Sequence, residues 1–476
     1  MFTSPLPRRT ALKLGGGLVL TAALPGWPVL AAPTVREFRL TPHANSAAPL
    51  AGPPHGLTKV WSYDGSVPGP EIRLKQGERL KVVVENRLAV DTTIHWHGIR
   101  TPFRMDGVSH LTQKPIAPGG RFVYEFDVPD AGTYWYHPHE RGFEQVARGL
   151  SGALIVEEPE PVKVDRDITW VLDDWRLKRD AQIDGNFDNR MDMSHGGRLG
   201  NTVTVNGRVL ESFPVRAGER VRLRLINVAN ARHFALAFAG HNPKIIALDG
   251  QPVTPHEPEE GRIVLGPAMR ADLIIDMTGA PEQKFSVTDR FYRRQEYRLL
   301  DLVYDKAPPL RANPMDAPIK LARNTMPEPD MKSARRHEIA FAGGMMGRMA
   351  GAMLGDQQLD IREMMRRGKM WAVNGVASSG NVMDPMLTLT RGASYILAMD
   401  NDTAWHHPIH LHGHSFRVIA RDGKPTRHRE WRDTVLMAPG EKVDIAFLAD
   451  NPGDWLFHCH ILEHMAGGMV AVIRVV

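Results

Sequence analysis

Hydrophobic and polar residues alternate along several short stretches of this 476-residue chain, and three of these stretches share one form. Each begins with a glycine, continues as an alternating apolar run and ends with an asparagine nine residues later. The three copies are GERLKVVVEN (residues 77–86), GERVRLRLIN (218–227) and GASYILAMDN (392–401). A period of two is typical of β-strands with one buried face. A unit that is repeated three times predicts three homologous domains.

Turn residues precede each copy, at Asp64-Gly65, Asn206-Gly207 and Asn374-Gly375. Short β-branched and aromatic runs, separated by glycine and proline, surround the copies, and amphipathic helical stretches are scarce. The pattern predicts an all-β chain of three tandem antiparallel Greek-key β-sandwiches, of about 120 to 150 residues each. Charged, proline-bearing stretches place the domains at residues 34–158, 159–306 and 337–476, with a linker at 307–336.

Composition narrows the class of protein. Hydrophobic residues make up 42% of the chain, which is enough for ordinary globular cores. A single cysteine, Cys459, excludes an internal disulfide, and its two histidine neighbours favour a metal ligand. The net charge of +5 includes Arg8, Arg9 and Lys13 of a candidate leader, so the remaining chain carries 5 − 3 = +2. That balance gives no reason to expect a nucleic-acid partner.

Residues 1–31 resemble a twin-arginine export signal, in which Arg8-Arg9 precede an apolar run from Leu14 to Leu24. Cleavage is expected after Ala31 or within one or two residues of it. The alternative is a membrane anchor. The apolar run has about half of the roughly 20 residues needed to span a bilayer, and prolines follow it. We therefore expect a partner in the twin-arginine export machinery, no stable membrane insertion, and a periplasmic or secreted protein.

Histidine pairs recur at matching positions in the first and third copies. His95 and His410 each lie nine residues after the repeated asparagine, so the pair His95 and His97 matches His410 and His412. Nineteen residues after Pro118 and after Pro439 come two further pairs, namely His137 with His139 and His458 with His460.

The second copy has Leu236 and Phe238 at the positions of the first pair. The fold can therefore form with apolar residues at these positions, so the histidines of the first and third copies are not needed to fill the core. If domains 1 and 3 pack face to face, the eight histidines converge. Neutral imidazoles suit copper, so the sequence predicts a site for three copper ions at the boundary of these domains.

A second site is predicted within domain 3, in the stretch HCHILEHMAGGM (residues 458–469). One thiolate, two imidazoles and a thioether are typical of a blue-copper centre, with methionine as the weak axial ligand. Cys459, His464 and Met469 supply three of these groups, and His407 supplies the fourth. Because successive side chains of a strand alternate, His458 and His460 are expected to face the other site.

Four segments together resemble the copper signatures of multicopper oxidases: HWHG (95–98), WYHPH (135–139), HPIHLHGHSF (407–416) and HCHILEHMAGGM (458–469). The resemblance runs through the chain after the leader and implies three cupredoxin-like domains and four copper ions. It implies a blue type 1 copper held by His407, Cys459, His464 and Met469, and a type 2 copper held by His95 and His410. It also implies a type 3 pair, held by His97, His137 and His460 and by His139, His412 and His458.

The resemblance further implies an enzyme that couples four one-electron oxidations to the reduction of O2 to water. A laccase-like oxidase of phenols or aromatic amines is the first hypothesis, and a periplasmic cuprous oxidase is the second. A copper-free relative is disfavoured because no ligand is missing. Asp106 matches an acidic position near the copper cluster and is a candidate proton relay, unless it only forms an Asp-Gly turn. Many bacterial relatives have an acid where this chain has Met465, so Glu463 is either a substitute relay or a structural carboxylate.

Residues 341–370 contain seven of the 22 methionines. Thioethers prefer Cu(I), and Met345, Met349 and Met353 have the spacing of one helical face. The segment resembles the methionine-rich insert of cuprous oxidases, although it lacks the histidines of that insert. The alternative is an apolar helical face or flexible lid, and four nearby arginines, at positions 348, 362, 366 and 367, would repel a cation.

Overall fold

The computed structural model describes residues 33–380 and 384–476. The predicted export signal lies outside the described residues. Residues Thr34–Val476 form one compact unit. Nearly all of its regular structure is β-strand, which confirms the all-β, cupredoxin-like prediction.

Strand pairing stays within three consecutive segments of the chain. The strands of the first segment are β1 (Val35–Leu40), β2 (Pro42–Ala48), β3 (Thr58–Tyr63), β4 (Gly69–Lys75), β5 (Arg79–Glu85), β6 (His95–His97), β7 (Arg121–Asp127), β8 (Gly132–His137) and β9 (Gly152–Glu157). Those of the second are β10 (Arg166–Trp175), β11 (Thr202–Val205), β12 (Ser212–Val215), β13 (Arg220–Asn227), β14 (Phe234–Phe238), β15 (Lys244–Leu248), β16 (Gln251–His256), β17 (Ile263–Leu265), β18 (Arg270–Asp276), β19 (Lys284–Asp289) and β20 (Tyr297–Tyr304). This confinement supports the division into three domains, which we keep as a proposal.

The third segment has the largest number of strands among the described residues. They are β21 (Arg335–Gly343), β22 (Gly351–Leu354), β23 (Gln357–Asp360), β24 (Trp371–Val373), β25 (Leu387–Leu389), β26 (Ser394–Asp402), β27 (His407–Leu411), β28 (Phe416–Arg421), β29 (Lys424–Pro425), β30 (Trp431–Arg432), β31 (Thr434–Met437), β32 (Lys442–Leu448), β33 (Gly453–Cys459) and β34 (Val470–Val475). The short helices are α1 (Gly142–Gln145), α2 (Arg190–Ser194), α3 (Ile361–Arg366), α4 (Leu462–Ala466) and two 3-10 helices, Phe103–Met105 and Glu259–Gly261.

Each segment stacks two sheets around its own apolar core. The sheets are β1-β5-β7 and β4-β9-β8-β6 in the first segment, β11-β10-β13-β18-β15-β16 and β12-β20-β19-β14-β17 in the second, and β24-β21-β26-β32-β28-β29 and β25-β34-β33-β27-β31 in the third. In each segment two strand pairs are parallel, such as β1 with β5 and β4 with β9, so the sandwiches are not purely antiparallel as predicted. Parallel neighbours arise where the chain crosses to the other sheet before it returns in the same direction.

The repeated asparagine fixes the loop that follows each repeated strand. In the first segment, the Asn86 amide donates to the carbonyls of Val90 and Ile116 at 2.9 and 2.7 Å. Asn227 and Asn401 make equivalent pairs of bonds. The loop geometry is therefore shared, and the residue nine positions later enters β6, β14 or β27 in each segment.

The helical prediction for Met345 to Met353 is wrong. Gly344 has a φ of 70°, and residues 351–354 form β22, which pairs with β23 across a turn at Gly355. Glycines disfavour a helix interior, and a φ of 58° at Gly355 suits the tight turn of a hairpin. The helix α3 begins only after Asp360, whose carboxylate caps it by accepting a hydrogen bond from the backbone N–H of Glu363.

The connection between β20 and β21 contains no strand and packs on the first two segments. The Asn324 amide donates to the carbonyl of Ala131 at 2.8 Å and to the side chain of Gln251 at 2.9 Å. Strand β21 begins at Arg335, two residues before the predicted domain boundary. None of the helices in the described ranges has the length and hydrophobicity of a transmembrane helix.

Candidate metal centre

The structure brings the eight histidines of the first and third segments together. Two pairs of antiparallel strands carry them: β6 with β8, in which His95 lies opposite His137, and β27 with β33, in which His410 lies opposite His458. The two pairs face each other between the segments. Ring centroids across this boundary are close for His95 and His412 (4.0 Å), His97 and His410 (3.8 Å), His137 and His460 (5.2 Å) and His139 and His458 (5.3 Å).

Backbone carbonyls fix the orientation of four of these rings. The Nδ1 of each ring donates to a carbonyl at 2.8 to 3.0 Å: His95 to Asp106, His137 to Pro138, His410 to Asp433 and His458 to Cys459. Burial lowers the pKa of His137 and His410, and lowers that of His458 to about 4, so these rings are neutral near pH 7. A neutral ring that carries its proton on Nδ1 offers the Nε2 lone pair to a metal.

The donor set fits a bound cation. His412 Nδ1 donates to the Asp106 carboxylate at 2.8 Å and His458 Nδ1 donates to a carbonyl, yet the two Nε2 atoms lie 3.0 Å apart. Two lone pairs that face each other repel unless a cation accepts both. Several further buried ring nitrogens have no hydrogen-bond partner among the described residues: His95 Nε2, His97 Nδ1, His137 Nε2, His410 Nε2 and both nitrogens of His460. Imidazole-rich sites of this kind suit copper.

Asp106 lies at the end of the 3-10 helix Phe103–Met105 and is 1% exposed. Its Oδ2 accepts the hydrogen bond from His412 Nδ1, and its Oδ1 lies 3.2 Å from His95 Nδ1. The carboxylate is therefore in direct contact with two of the clustered rings. This position suits both the orientation of His412 and the delivery of a proton, and the relay role stays a prediction.

His407, Cys459 and His464 meet on the other side of β33 and are fully buried. The Cys459 Sγ lies 3.4 Å from His407 Nδ1 and 3.7 Å from His464 Nδ1, and the two nitrogens are 3.1 Å apart. Burial raises the pKa of the Cys459 thiol, so a bound cation is required to hold it as thiolate near neutral pH. Met469 is fully buried in the same core, and its carbonyl accepts from the Cys459 N–H at 3.1 Å.

The remaining ring nitrogens of this site are bonded to the protein. His407 Nε2 donates to Thr403 Oγ1 at 2.9 Å, and His464 Nε2 donates to the carbonyl of His195 at 2.6 Å. Both rings therefore offer Nδ1 to a metal. Trp371 packs against the ring of His464 at a centroid distance of 4.2 Å. His195 comes from the second segment, which thus covers the site.

Strand alternation separates the two sites as predicted. In the β27–β33 ladder His458 lies opposite His410, and Cys459 lies opposite Ile409. His458 and His460 face the histidine cluster, whereas Cys459 faces His407 and His464. Adjacent residues of one strand therefore reach both sites.

Glu463 is tied to the second segment. Its Oε1 accepts from the Asn230 amide at 2.8 Å and its Oε2 accepts from the backbone N–H of Arg198 at 3.1 Å. Burial raises the pKa of this carboxyl. Both oxygens are used in joining α4 to the second segment, so the geometry favours the structural interpretation of Glu463.

A cavity of about 330 Å³ leads to the histidine cluster. His137 and His139 line it together with Glu140, Leu462 and Met465. Met465 also packs on an apolar cluster that includes Val108, Leu456, Val470 and Val472. Met465, at the position where many bacterial relatives have an acid, is thus an apolar part of the cavity wall in this protein.

Two residues of the site were missed in the sequence. Asp433 and Arg270 are buried beside the cluster, and they form a bidentate ion pair at 2.8 and 2.6 Å. Asp433 lies between β30 and β31 in WRDTVLM, and Arg270 begins β18 in AMRADLIID, and each segment also holds other charged residues. A charge within a largely apolar run was the available signal, but nothing local indicates that the two residues meet.

Known proteins resemble the chain along its length. Three family models described as multicopper oxidase match residues 48–161, 166–304 and 355–476. Multicopper oxidase MmcO of Mycobacterium tuberculosis is 32% identical over 454 residues, covering 88% of this chain and 83% of that protein. Laccase-1 of Fomitopsis schrenkii is 32% identical over 459 residues, covering 86% of this chain and 81% of that protein. The crystal structure of a multicopper oxidase from Pseudomonas thermotolerans matches with a TM-score of 0.82 at 32% identity, covering 94% of this chain and 100% of that one.

Proposed function

Because the chain belongs to the multicopper oxidase family and is a copper-dependent oxidoreductase that uses O2, we propose that it holds four copper ions in the two sites described above. In this proposal four one-electron donors and four protons convert one O2 to two water molecules. The cysteine site would hold one copper through His407, Cys459, His464 and Met469. The histidine cluster would hold three, divided among its eight rings as the family resemblance implies.

One observation carries this proposal: three consecutive residues at the end of β33 and directly after it, His458, Cys459 and His460, serve both sites. Bound copper would supply one-electron redox chemistry at the cysteine site and multi-electron reduction of O2 at the cluster. Burial lowers the pKa of His407, His410 and His458, which keeps these rings neutral near pH 7. The fold also excludes bulk water from His407, Cys459 and His464. The tripeptide His458-Cys459-His460 gives a short covalent path between the sites. In this proposal Asp106, which accepts a hydrogen bond from His412, delivers protons to the cluster.

Copper content tests the proposal directly. Metal analysis of the purified protein is expected to give about four copper ions per chain. Removal with a chelator in the presence of a reductant should abolish both the blue absorption and oxygen consumption, and added copper should restore them, because the ligands are preformed. Oxygen consumption that persists in copper-free protein would contradict the assignment.

The copper ligands of the cysteine site are shielded from solvent, and so from any electron donor in solution. His407 and His464 are 0% exposed, and the carbonyl of His195 occupies the outer nitrogen of His464. A donor therefore cannot touch the copper ligands and must pass its electron through the covering residues. Those residues include His195 and Trp405, whose rings are 5.5 Å apart.

Exposed methionines lie next to His195 and Trp405, the residues that cover the cysteine site. Met345 N–H donates to the carbonyl of Ser194 at 2.7 Å, and the Trp405 indole donates to the Met345 carbonyl at 3.0 Å. Met191, Met345 and Met346 are 65%, 44% and 73% exposed. Since thioethers prefer Cu(I), this face favours a cuprous ion as donor.

Two of the four arginines expected to repel a cation are partly neutralised. Arg366 and Arg367, at the end of α3, both form ion pairs with Glu363 in its first turn. Oxidation of phenols or aromatic amines is the second candidate, supported by the similarity to Laccase-1 and by the partly exposed rings of Trp405 and His195 among the covering residues.

Substitution of the exposed methionines separates the two candidates. In the double variant Met345→Leu/Met346→Leu the side-chain volume is kept but the thioethers are lost. We expect KM for Cu(I) to rise about tenfold, which corresponds to ~1.4 kcal/mol, with diphenol turnover unchanged. The matched control is Met331→Leu, an exposed methionine in the linker. Equal effects on both donors, or none on Cu(I), would reject the cuprous proposal.

We also propose export to the periplasm by the twin-arginine route. The support for it is the leader sequence with Arg8-Arg9, an apolar run that is too short to span a bilayer and the stretch Val29-Leu30-Ala31, which offers a cleavage site after Ala31. Export of an already folded protein would suit a buried metal thiolate.

A further inference from the structure

Arg270 comes from the second segment, which supplies none of the predicted copper ligands, yet it lies against the histidine cluster. It is 0% exposed. Its Nη1 and Nη2 donate to Oδ1 and Oδ2 of Asp433 at 2.8 and 2.6 Å, and its Nε donates to the carbonyl of Thr133 at 3.1 Å. Asp433 belongs to the third segment and Thr133 to the first. One guanidinium therefore joins all three segments beside the cluster.

Asp433 in turn holds two histidines of the cluster. Its Oδ1 lies 3.2 Å from His97 Nε2, and its carbonyl accepts from His410 Nδ1 at 2.8 Å. The rings of these two histidines stack at 3.8 Å. The position of Asp433 thus determines how a ring from the first segment and a ring from the third segment lie together.

His97 differs from its neighbours in the nitrogen that it offers. The Asp433 carboxylate accepts from Nε2–H, assisted by Thr434 Oγ1 at 3.1 Å, so His97 presents Nδ1 to the cluster. His95, by contrast, donates from Nδ1 and presents Nε2. A carboxylate in this place fixes the Nε2–H tautomer because an ionised carboxylate can only accept.

The arginine fork holds that carboxylate in a fixed orientation. An isolated buried carboxylate is costly, and a bidentate guanidinium compensates it with a defined geometry that a lysine ammonium cannot reproduce. Both side chains pack closely on the backbone of Gly98, the residue after His97: a Cβ atom added there would overlap Arg270 Nη2 and Asp433 Oδ2. The carboxylate therefore has little room to rotate. The pair is therefore a rigid support for His97.

We infer that Arg270 is a positioning residue for the histidine cluster: through Asp433 it fixes the tautomer of His97 and the placement of His410, and so sets the affinity of the cluster for its metal. The inference rests on the proposed assignment of copper to the cluster. It gives the ligand-free second segment a role in the metal chemistry of the other two.

The test uses the full chain and measures copper bound at the cluster by competition with a chelator. The blue absorption of the Cys459 site serves as an internal reference. Arg270→Lys and, independently, Asp433→Asn are expected to weaken cluster copper by about 10- to 100-fold, as loss of a supporting partner does in other metal sites. The blue absorption per chain should stay unchanged, and the type 2 copper signal in electron paramagnetic resonance should fall.

Arg222→Lys is the matched control. Arg222 is 1% exposed, lies in the same segment and forms a bidentate pair with Glu158 of the first segment at 2.9 and 2.6 Å. Its side chain makes no hydrogen bond or ion pair with a histidine in the part of the chain that the structure describes. A general loss of stability should therefore affect this variant as much as Arg270→Lys, whereas its cluster affinity should stay within about twofold of wild type.

Wild-type affinity in both Arg270→Lys and Asp433→Asn would overturn the inference, and so would an equal loss of cluster copper in Arg222→Lys. If Arg270→Lys does not fold, Asp433→Asn decides, because it removes the charge while keeping the side-chain shape. A wild-type chain that binds no copper at the cluster would reject the proposed function together with this inference. Normal wild-type binding with unaffected variants would reject the inference alone.

Discussion

Cys459→Ser is expected to abolish the blue colour of the protein and to reduce donor-driven oxygen consumption by about a thousandfold or more, equivalent to ~4 kcal/mol in the barrier. The blue colour requires a thiolate ligand, and serine offers a harder oxygen ligand instead. Because its C–O bond is shorter than the C–S bond of cysteine, this oxygen does not reach the position of the sulfur between His407 and His464. Absorption spectroscopy and oxygen uptake with either donor measure the two effects.

The histidine cluster should survive this change. His458 and His460 keep their places because the backbone of residue 459 pairs with Ile409 and bonds to the Met469 carbonyl. About three copper ions per chain are expected to remain. Met469→Leu is the matched control within the same site, and it should remain blue with a raised reduction potential, since the weak axial ligand tunes the potential without creating the colour. A blue Cys459→Ser protein would show that the assignment is wrong.

Asp106→Asn is expected to lower steady-state oxygen consumption by about 10²- to 10⁴-fold, the usual contribution of a positioned acid or base. The amide oxygen of asparagine can still accept from His412 Nδ1 in place of Oδ2, but asparagine cannot carry a proton to the cluster. Copper content and the anaerobic reduction of the blue site by donor should therefore stay near wild type. Stopped-flow reduction, metal analysis and oxygen uptake separate these steps.

Glu463→Gln is the control for this prediction, because Glu463 is also a buried carboxyl close to the copper sites but bonds to Asn230 and Arg198. We expect its turnover to stay within about threefold of wild type and its stability to fall by ~1 to 3 kcal/mol, since glutamine keeps only one oxygen and either the Asn230 amide or the Arg198 N–H loses its acceptor. Loss of copper in Asp106→Asn would indicate that Asp106 only positions His412. A full loss of turnover in Glu463→Gln with normal stability would instead place the relay on Glu463.

The fold could be predicted because its determinants are local and repeated. The spacing from Asn86 to His95 equals that from Asn401 to His410, and the side-chain amide bonds of the two asparagines give the same loop in each copy. The helical prediction for Met345 to Met353 failed for an equally local reason. The spacing of the methionine side chains fits a helix, but the glycines at 344, 347, 351 and 355 favour turns and a hairpin.

The sequence by itself determined which side chains can ligate a metal and which of them share a face, because the two-residue period of a strand is a property of the local backbone. That was enough to separate Cys459 from His458 and His460. Only the tertiary structure decided what surrounds these ligands. Arg270 and Asp433 are 163 residues apart, and the carbonyl that seals His464 belongs to His195, 269 residues away. Contacts of this kind depend on how three sandwiches pack, which no spacing within one of them encodes.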